Sequence, residues 1–232
     1  MTRGRKYIES ASKVSRTTLH RPKAALDLIK GLAFAKFDET VEVHFNLGID
    51  PRHADQQLRG TLVLPHGTGK SIRVAVVAQG DKAKDAQKAG ADVVGAEDLI
   101  EKIQEGWLEF DILIATPDMM SKIGRLGKML GTKGLMPNPK SGTVTTEIEK
   151  TVREFKSGKL EYRNDKAGII HLGIGKVSFT KENLVDNFMM VYDTLLKVKP
   201  SKAKGVYLKT ISLSSSQGVG IFIEPLKVKW EE

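Results

Sequence analysis

Two kinds of hydrophobic pattern divide this chain. Between residues 72 and 130, short apolar runs at 72–78, 92–94 and 110–115 alternate with segments of helical period at 81–89, 96–105 and 117–130. Gly80, Gly90, Gly95 and Gly106 punctuate them. Continuous apolar runs suit strands covered on both faces, so the order predicts a small parallel sheet with helices on either side. A further helix over 147–156 closes this part.

The flanking segments follow another rule. Leu26, Ile29 and Ala33 mark one face of a helix over 23–33, after which Val41, Val43, Phe45 and Leu47 alternate with Glu42, His44 and Asn46. Period two predicts a half-buried strand. A second strand spans 58–64, and Pro65-His-Gly-Thr-Gly69 interrupts the pattern. Alternation resumes at Leu160 and Tyr162 and again at Ile170, Leu172 and Ile174. A helix with Leu184, Phe188, Val191 and Leu195 on one face follows, then strands over 205–213 and 219–223. The predicted fold class is α/β with two domains. Residues 1–66 and 159–232 form a discontinuous α+β sandwich domain, and residues 67–158 form an inserted Rossmann-like three-layer α/β domain. Small residues at both crossings, Gly67, Thr68 and Gly69 outward and Ser157 and Gly158 on return, suit either a hinge or a fixed tight junction.

Charge separates the same two parts. The 232 residues carry 37 Lys and Arg against 28 Asp and Glu, a net of +9. The insert holds 14 basic and 13 acidic side chains, so all but one of the excess positive charges lie in the flanking domain. Such a balance points to a nucleic acid or another polyanion. Near the N-terminus Arg3, Arg5, Lys6, Lys13, Arg16, Arg21 and Lys23 face only Glu9, which reads as a solvated or phosphate-contacting arm. Inside the insert, Lys122, Arg125, Lys128, Lys133 and Lys140 lie in a segment, 121–146, that has no carboxylate. That segment must stay in water or face an anion.

Several function classes fall away. Without cysteine there is no disulfide framework, thiolate site or cysteine nucleophile, which suits a reducing compartment. His20, His44, His53, His66 and His171 have no metal-site spacing and read as ordinary histidines, so no metal and no cofactor is expected. No run approaches the roughly 20 apolar residues that span a bilayer, and no apolar signal core follows the first basic residues. A cytoplasmic protein without membrane contact is expected. Gly67-Thr-Gly-Lys-Ser71 resembles the end of a phosphate-binding loop, but Leu64 stands where its first glycine belongs, and Ser71 leads into a strand. Gln79-Gly-Asp-Lys82 offers no glycine-rich turn for a pyrophosphate. Asp111 and Asp118 read as helix caps and surface charge. A binding protein is expected, with a nucleotide-dependent enzyme in the insert as the alternative.

Two clusters in the basic domain carry candidate chemistry. Taken alone, Phe37 in Lys36-Phe-Asp-Glu-Thr40 reads as core, and Ser212-Leu-Ser-Ser-Ser-Gln-Gly218 reads as a loop. Together on a basic domain, a cation, an aromatic ring, hydroxyls and an amide suit recognition of folded RNA. At larger scale the chain resembles the bacterial ribosomal protein L1 family over nearly its whole length. The resemblance rests on Phe37-Asp-Glu-Thr-Val-Glu-Val43, Asp50-Pro51, Arg59-Gly60, Leu64-Pro-His-Gly-Thr-Gly-Lys70, Ala115-Thr-Pro-Asp118, Gly131-Thr-Lys-Gly-Leu-Met-Pro-Asn-Pro-Lys-Ser-Gly-Thr143, Arg163-Asn-Asp-Lys166 and His171. It implies a structural constituent of the large ribosomal subunit, monomeric when free, that binds 23S ribosomal RNA at the mobile stalk. It further implies help in releasing deacylated tRNA from the exit site, and repression of the protein's own operon messenger RNA. The RNA-contacting positions it implies are Lys36, Phe37, Thr40, Ser214, Ser216, Gln217 and Gly218, together with Asp165 and Lys166. Gln217 stands where the family usually has methionine.

Overall fold

The computed structural model describes residues 4–15, 17–226 and 228; Arg3 and Arg16 of the basic arm lie outside them. The chain divides into two compact units, Met1–Gly69 with Tyr162–Glu232, and Lys70–Glu161. The first unit begins with α1 (Arg5–Ser12), α2 (Pro22–Leu32), β1 (Thr40–Leu47) and β2 (Arg59–Val63). The second contains β3 (Val74–Val77), α3 (Asp81–Lys88), β4 (Val93–Gly95), α4 (Glu97–Gln104), β5 (Ile112–Ala115), α5 (Met120–Ile123), α6 (Gly127–Thr132) and α7 (Ile148–Lys156). The chain returns through β6 (Lys159–Arg163), which pairs with β2, and continues as β7 (Ile169–Lys176), α8 (Lys181–Lys197), β8 (Leu208–Ser215) and β9 (Ile221–Ile223). The mixed α/β class expected from the sequence is the one observed.

In the first unit β7, β1, β8 and β9 form an antiparallel sheet in that order. The period-two pattern of β1 sends Val41, Val43, Phe45 and Leu47 into the core, each fully buried or nearly so. Phe45 stacks on Phe188 of α8 with ring centroids 6.0 Å apart. Burial of each such side chain contributes roughly 1.5–3 kcal/mol. Helix α2 opens with Pro22 at its first turn, where the missing N–H costs nothing. Thr180 caps α8 by accepting a hydrogen bond from the Asn183 N–H. Two expectations need correction here. The basic arm is not simply solvated, because residues 5–12 are helical, with Ser10 buried and its hydroxyl on the Leu32 carbonyl at 3.4 Å. Farther on, the His20 N–H donates to the Phe222 carbonyl at 2.9 Å. The serines from 212 to 215 likewise belong to strand β8 rather than to a loop.

The second unit is built on a three-stranded parallel sheet, ordered β4-β3-β5. All four residues of β3 are buried, which is why its sequence is a continuous apolar run. Val74 and Val76 pack with Ala86, Ile148, Val152 and Phe155 of α3 and α7. Ala75 and Val77 face the opposite layer, with Leu99 and Ile103 of α4. Met119, Ile123, Leu126 and Leu130 join that layer. They keep a helical spacing, yet the single helix expected over 117–130 is four short pieces: two 3₁₀ turns, Pro117–Met119 and Gly124–Leu126, and the α-helices α5 and α6. Gly124 and Gly127 lower helix propensity where an unbroken helix would need it most.

The residues expected to form a hinge are well anchored within their own units. Gly67 and Gly69 take φ of 63° and 70°, which favour glycine. Asn187, with no solvent exposure, donates from Nδ2 to the Gly67 carbonyl at 2.9 Å and the Ile174 carbonyl at 2.7 Å, and accepts from the His66 N–H at 3.1 Å. Thr68 joins these two glycines. Ser157 caps the C-terminus of α7, its hydroxyl donating to the Glu154 carbonyl at 2.8 Å, and Gly158 continues the cap to Phe155. The return crossing falls between Glu161 and Tyr162, three residues beyond Gly158. Of the two roles expected for Asp111, surface charge and helix cap, it takes the first: it accepts from Lys70 Nζ at 2.6 Å and from the Arg73 N–H at 3.0 Å at the start of the second unit. Asp118 lies in the first turn of the Pro117–Met119 segment.

Candidate nucleic-acid interface

Glu39 organises one rim of the antiparallel sheet. It is 1% exposed, and its Oε1 accepts from the N–H groups of Phe34 at 3.0 Å and Ala35 at 2.8 Å. Its Oε2 accepts from the Gln217 N–H at 3.1 Å. Burial pushes the carboxyl up, but hydrogen bonds from Ser215, Ala35, Gln217 and Phe34 outweigh it and hold the group below its ordinary value. A single buried carboxylate thus ties the segment before β1 to the turn after β8. The sequence reading passed over it. Its signal was an acid placed where the flanking strand begins its buried positions.

Around this clamp the rim residues take distinct places. Phe37 is 55% exposed, so its reading as core does not hold. Lys36 is exposed and has no carboxylate partner among the described residues. Next to them Asp38 accepts from the Ser178 hydroxyl at 2.6 Å and the Ser178 N–H at 3.1 Å, which fixes the loop. Thr40 Oγ1 accepts from Lys176 Nζ at 2.8 Å, while the Thr40 N–H donates to Ser216 Oγ at 3.0 Å. The Ser216 hydroxyl therefore already serves the backbone. Gly218 closes the turn by donating its N–H to the Ser215 carbonyl at 3.0 Å. A Cβ at Gly218 would collide with Ser215 Oγ, so a larger residue there would have to push that hydroxyl away from its bond to Glu39.

Asp165 and Lys166 sit elsewhere. They lie in the turn between β6 and β7, beyond the Asn46 end of β1, whereas Thr40 starts that strand. Six residue steps along the strand separate Thr40 from Asn46, about 20 Å. The sheet face between them is polar. Glu42, His44, Asn46, Ser212 and Ser214 are half-buried, and His171 and Thr210 are exposed. Across it runs a continuous chain of contacts. Ser214 Oγ lies 3.3 Å from His44 Nε2, His44 Nδ1 lies 2.9 Å from His171 Nδ1, and His171 Nε2 lies 3.3 Å from Asp165 Oδ2. Register puts His44 opposite His171 on one side and Ser212 on the other. Desolvation and the neighbouring His171 lower the pKa of His44, with Glu42 opposing them. The Ile169 N–H above all, helped by His171 and the Ala167 N–H against some burial, holds Asp165 below its ordinary value. The structure thus joins Ser214 to Asp165 through His44 and His171, whose spacing along the chain reads only as that of ordinary histidines.

The second unit has a positive surface of its own. In the carboxylate-free segment Lys122 pairs with Glu97, while Arg125, Lys128, Lys133 and Lys140 are exposed and unpaired among the described residues. Asn138 accepts from the Lys140 N–H at 2.7 Å and donates its own N–H to Thr143 Oγ1 at 2.8 Å, so the proline-rich turn is held by its own side chains. Lys70, the lysine of the phosphate-loop resemblance, is paired with Asp111 and leads toward a strand. Among the described residues no group of three or more His, Asp or Glu side chains could hold a metal ion, and no helix is long and apolar enough to cross a membrane.

An open polar sheet face, a rim of hydroxyls and an exposed ring beside an unpaired lysine are groups that can meet a folded polyanion. The profile of the Ribosomal protein L1p/L10e family matches residues 29–219, from within α2 to just past Gly218. With that match extending over most of its length, the chain belongs to the ribosomal protein L1p/L10e family, whose members are RNA-binding structural constituents of the ribosome.

Proposed function

We propose that the protein binds 23S ribosomal RNA of the large subunit at the mobile stalk, through the open sheet face and the Thr40–Gly218 rim of the first unit. The observation that carries this reading is the hydrogen-bonded strip from Ser214 through His44 and His171 to Asp165. Polar groups fixed to one another on a rigid sheet select RNA by shape and 2′-hydroxyl pattern. Lys36 and Lys166 supply salt-sensitive attraction at the two ends of the face. Phe37 offers a ring, and Gln217 and Ser216 line the rim. The family resemblance extends the proposal to release of deacylated tRNA from the exit site and to repression of the protein's own messenger RNA.

Two results would test it. Replacing residues 70–161 with a short Gly/Ser linker should leave affinity for the stalk RNA within about thirtyfold of the intact protein, ~2 kcal/mol. A larger loss in a folded protein would move the binding surface out of the first unit. Lys36→Ala should weaken stalk RNA and an unrelated hairpin alike and lower the salt slope by about one counterion. If it instead changes the ratio of the two affinities, Lys36 reads shape rather than phosphate.

A further inference from the structure

We infer that a pocket beside the rim receives one unpaired nucleobase of the bound RNA. This rests on the RNA-binding reading above and adds a specific contact to it. The pocket is open, has a volume of about 520 Å³, and is lined by Gly4, Arg5, Lys6, Tyr7, Phe34 and Gln217. That volume suits a small ligand.

The lining matches a nucleotide part by part. Tyr7 and Phe34 are half-buried and supply aromatic walls, on which any base can stack. Arg5 and Lys6 are exposed, and the acid nearest them in sequence, Glu9, is taken by Lys13 at 3.4 Å. Neither cation has a carboxylate partner among the described residues, so both are open to a phosphate. Gln217 is exposed, and its side-chain amide has no hydrogen-bond partner among the described residues. An amide offers one donor and one acceptor side by side, the arrangement that reads a base edge and best fits adenine.

Glu39 makes this a built pocket rather than a chance gap. The Phe34 N–H is bonded to one of its oxygens and the Gln217 N–H to the other, so one carboxylate sets the position of both walls. The backbone that carries the ring and the amide is therefore held in place before RNA arrives. The ordering cost left at binding is that of the Gln217 side chain.

The test uses the full chain and a stalk ribosomal RNA fragment carrying 2-aminopurine at one unpaired position at a time. Binding should change the emission at one position. Tyr7→Leu should abolish that change and weaken binding about 5- to 150-fold, the range of one stacked base; Tyr7→Phe should preserve both. Gln217→Leu should keep the emission change but flatten the preference among the four bases at that position. Arg5→Ala with Lys6→Ala should lower the salt slope. Thermal melting checks that each variant is folded. If wild type binds the RNA but no position responds, or if folded Tyr7→Leu and Gln217→Leu bind with wild-type affinity and base preference, the pocket proposal is overturned. If wild type does not bind the fragment, the RNA reading fails first and takes the pocket with it.

Discussion

Glu39→Ala should destabilise the first unit by about 3 kcal/mol and abolish tight RNA binding with it. The substitution leaves the N–H groups of Phe34, Ala35 and Gln217 without their acceptor in a partly buried place, where each such loss costs about 1 kcal/mol. Urea denaturation reads the stability, and RNA affinity measured on the remaining folded fraction reads the rim. Glu39→Gln keeps the shape but turns one acceptor into a donor facing N–H groups, so it should fall between wild type and alanine. The carboxyl's folded pKa is depressed, so its contribution is fully present above the ordinary glutamate value of about 4.3 and is lost as pH falls through the lower folded value. Stability of Glu39→Ala should therefore lose less than wild type does on going from neutral pH to below 4. Equal acid sensitivity in the two proteins would show that Glu39 is not the group responsible.

Asn187→Leu should cost about 3 kcal/mol. Leucine has a similar shape, so the loss is one of hydrogen bonds: the His66 N–H and the carbonyls of Gly67 and Ile174 all lose their partner. Asn187→Asp should also be costly, because it buries a charge and removes the two donated bonds. The measurement is again a urea midpoint, with an unchanged slope expected if the fold is intact. A change under 0.5 kcal/mol would mean that water replaces the side chain at these three groups.

Much of the fold was legible because burial imposes a period. The apolar run of β3 and the alternation of β1 announce, respectively, a strand covered on both faces and one covered on one. What was not legible came from single polar side chains that act at a distance in sequence. Asn187 lies on the buried stripe between Leu184 and Val191, and a polar residue in that stripe was the available signal. Glu39 bonds to residues on either side of it, one of them 178 positions away, and no local pattern encodes that. The broken helix over 117–132 misled for another reason: its apolar spacing is helical, while its glycines decide the backbone. At the candidate site, types of residue could be chosen from sequence, but their grouping could not. Asp165 and Ser214 are joined only because antiparallel pairing sets His171 against His44.

That pairing fixes where protons point. Two imidazole Nδ1 atoms 2.9 Å apart share one hydrogen, so one ring donates and the other accepts. The Asp165 carboxylate can only accept, so neutral His171 must carry its hydrogen on Nε2 and leave Nδ1 bare. His44 then donates from Nδ1, its Nε2 is bare, and the Ser214 hydroxyl must donate inward to it. Every hydrogen in the row points the same way, toward Asp165. With both rings neutral, Ser214 consequently turns only lone pairs outward, an arrangement that suits a donor such as a ribose hydroxyl better than a phosphate oxygen. The tautomer chosen by one carboxylate is thus felt as a chemical preference three side chains away.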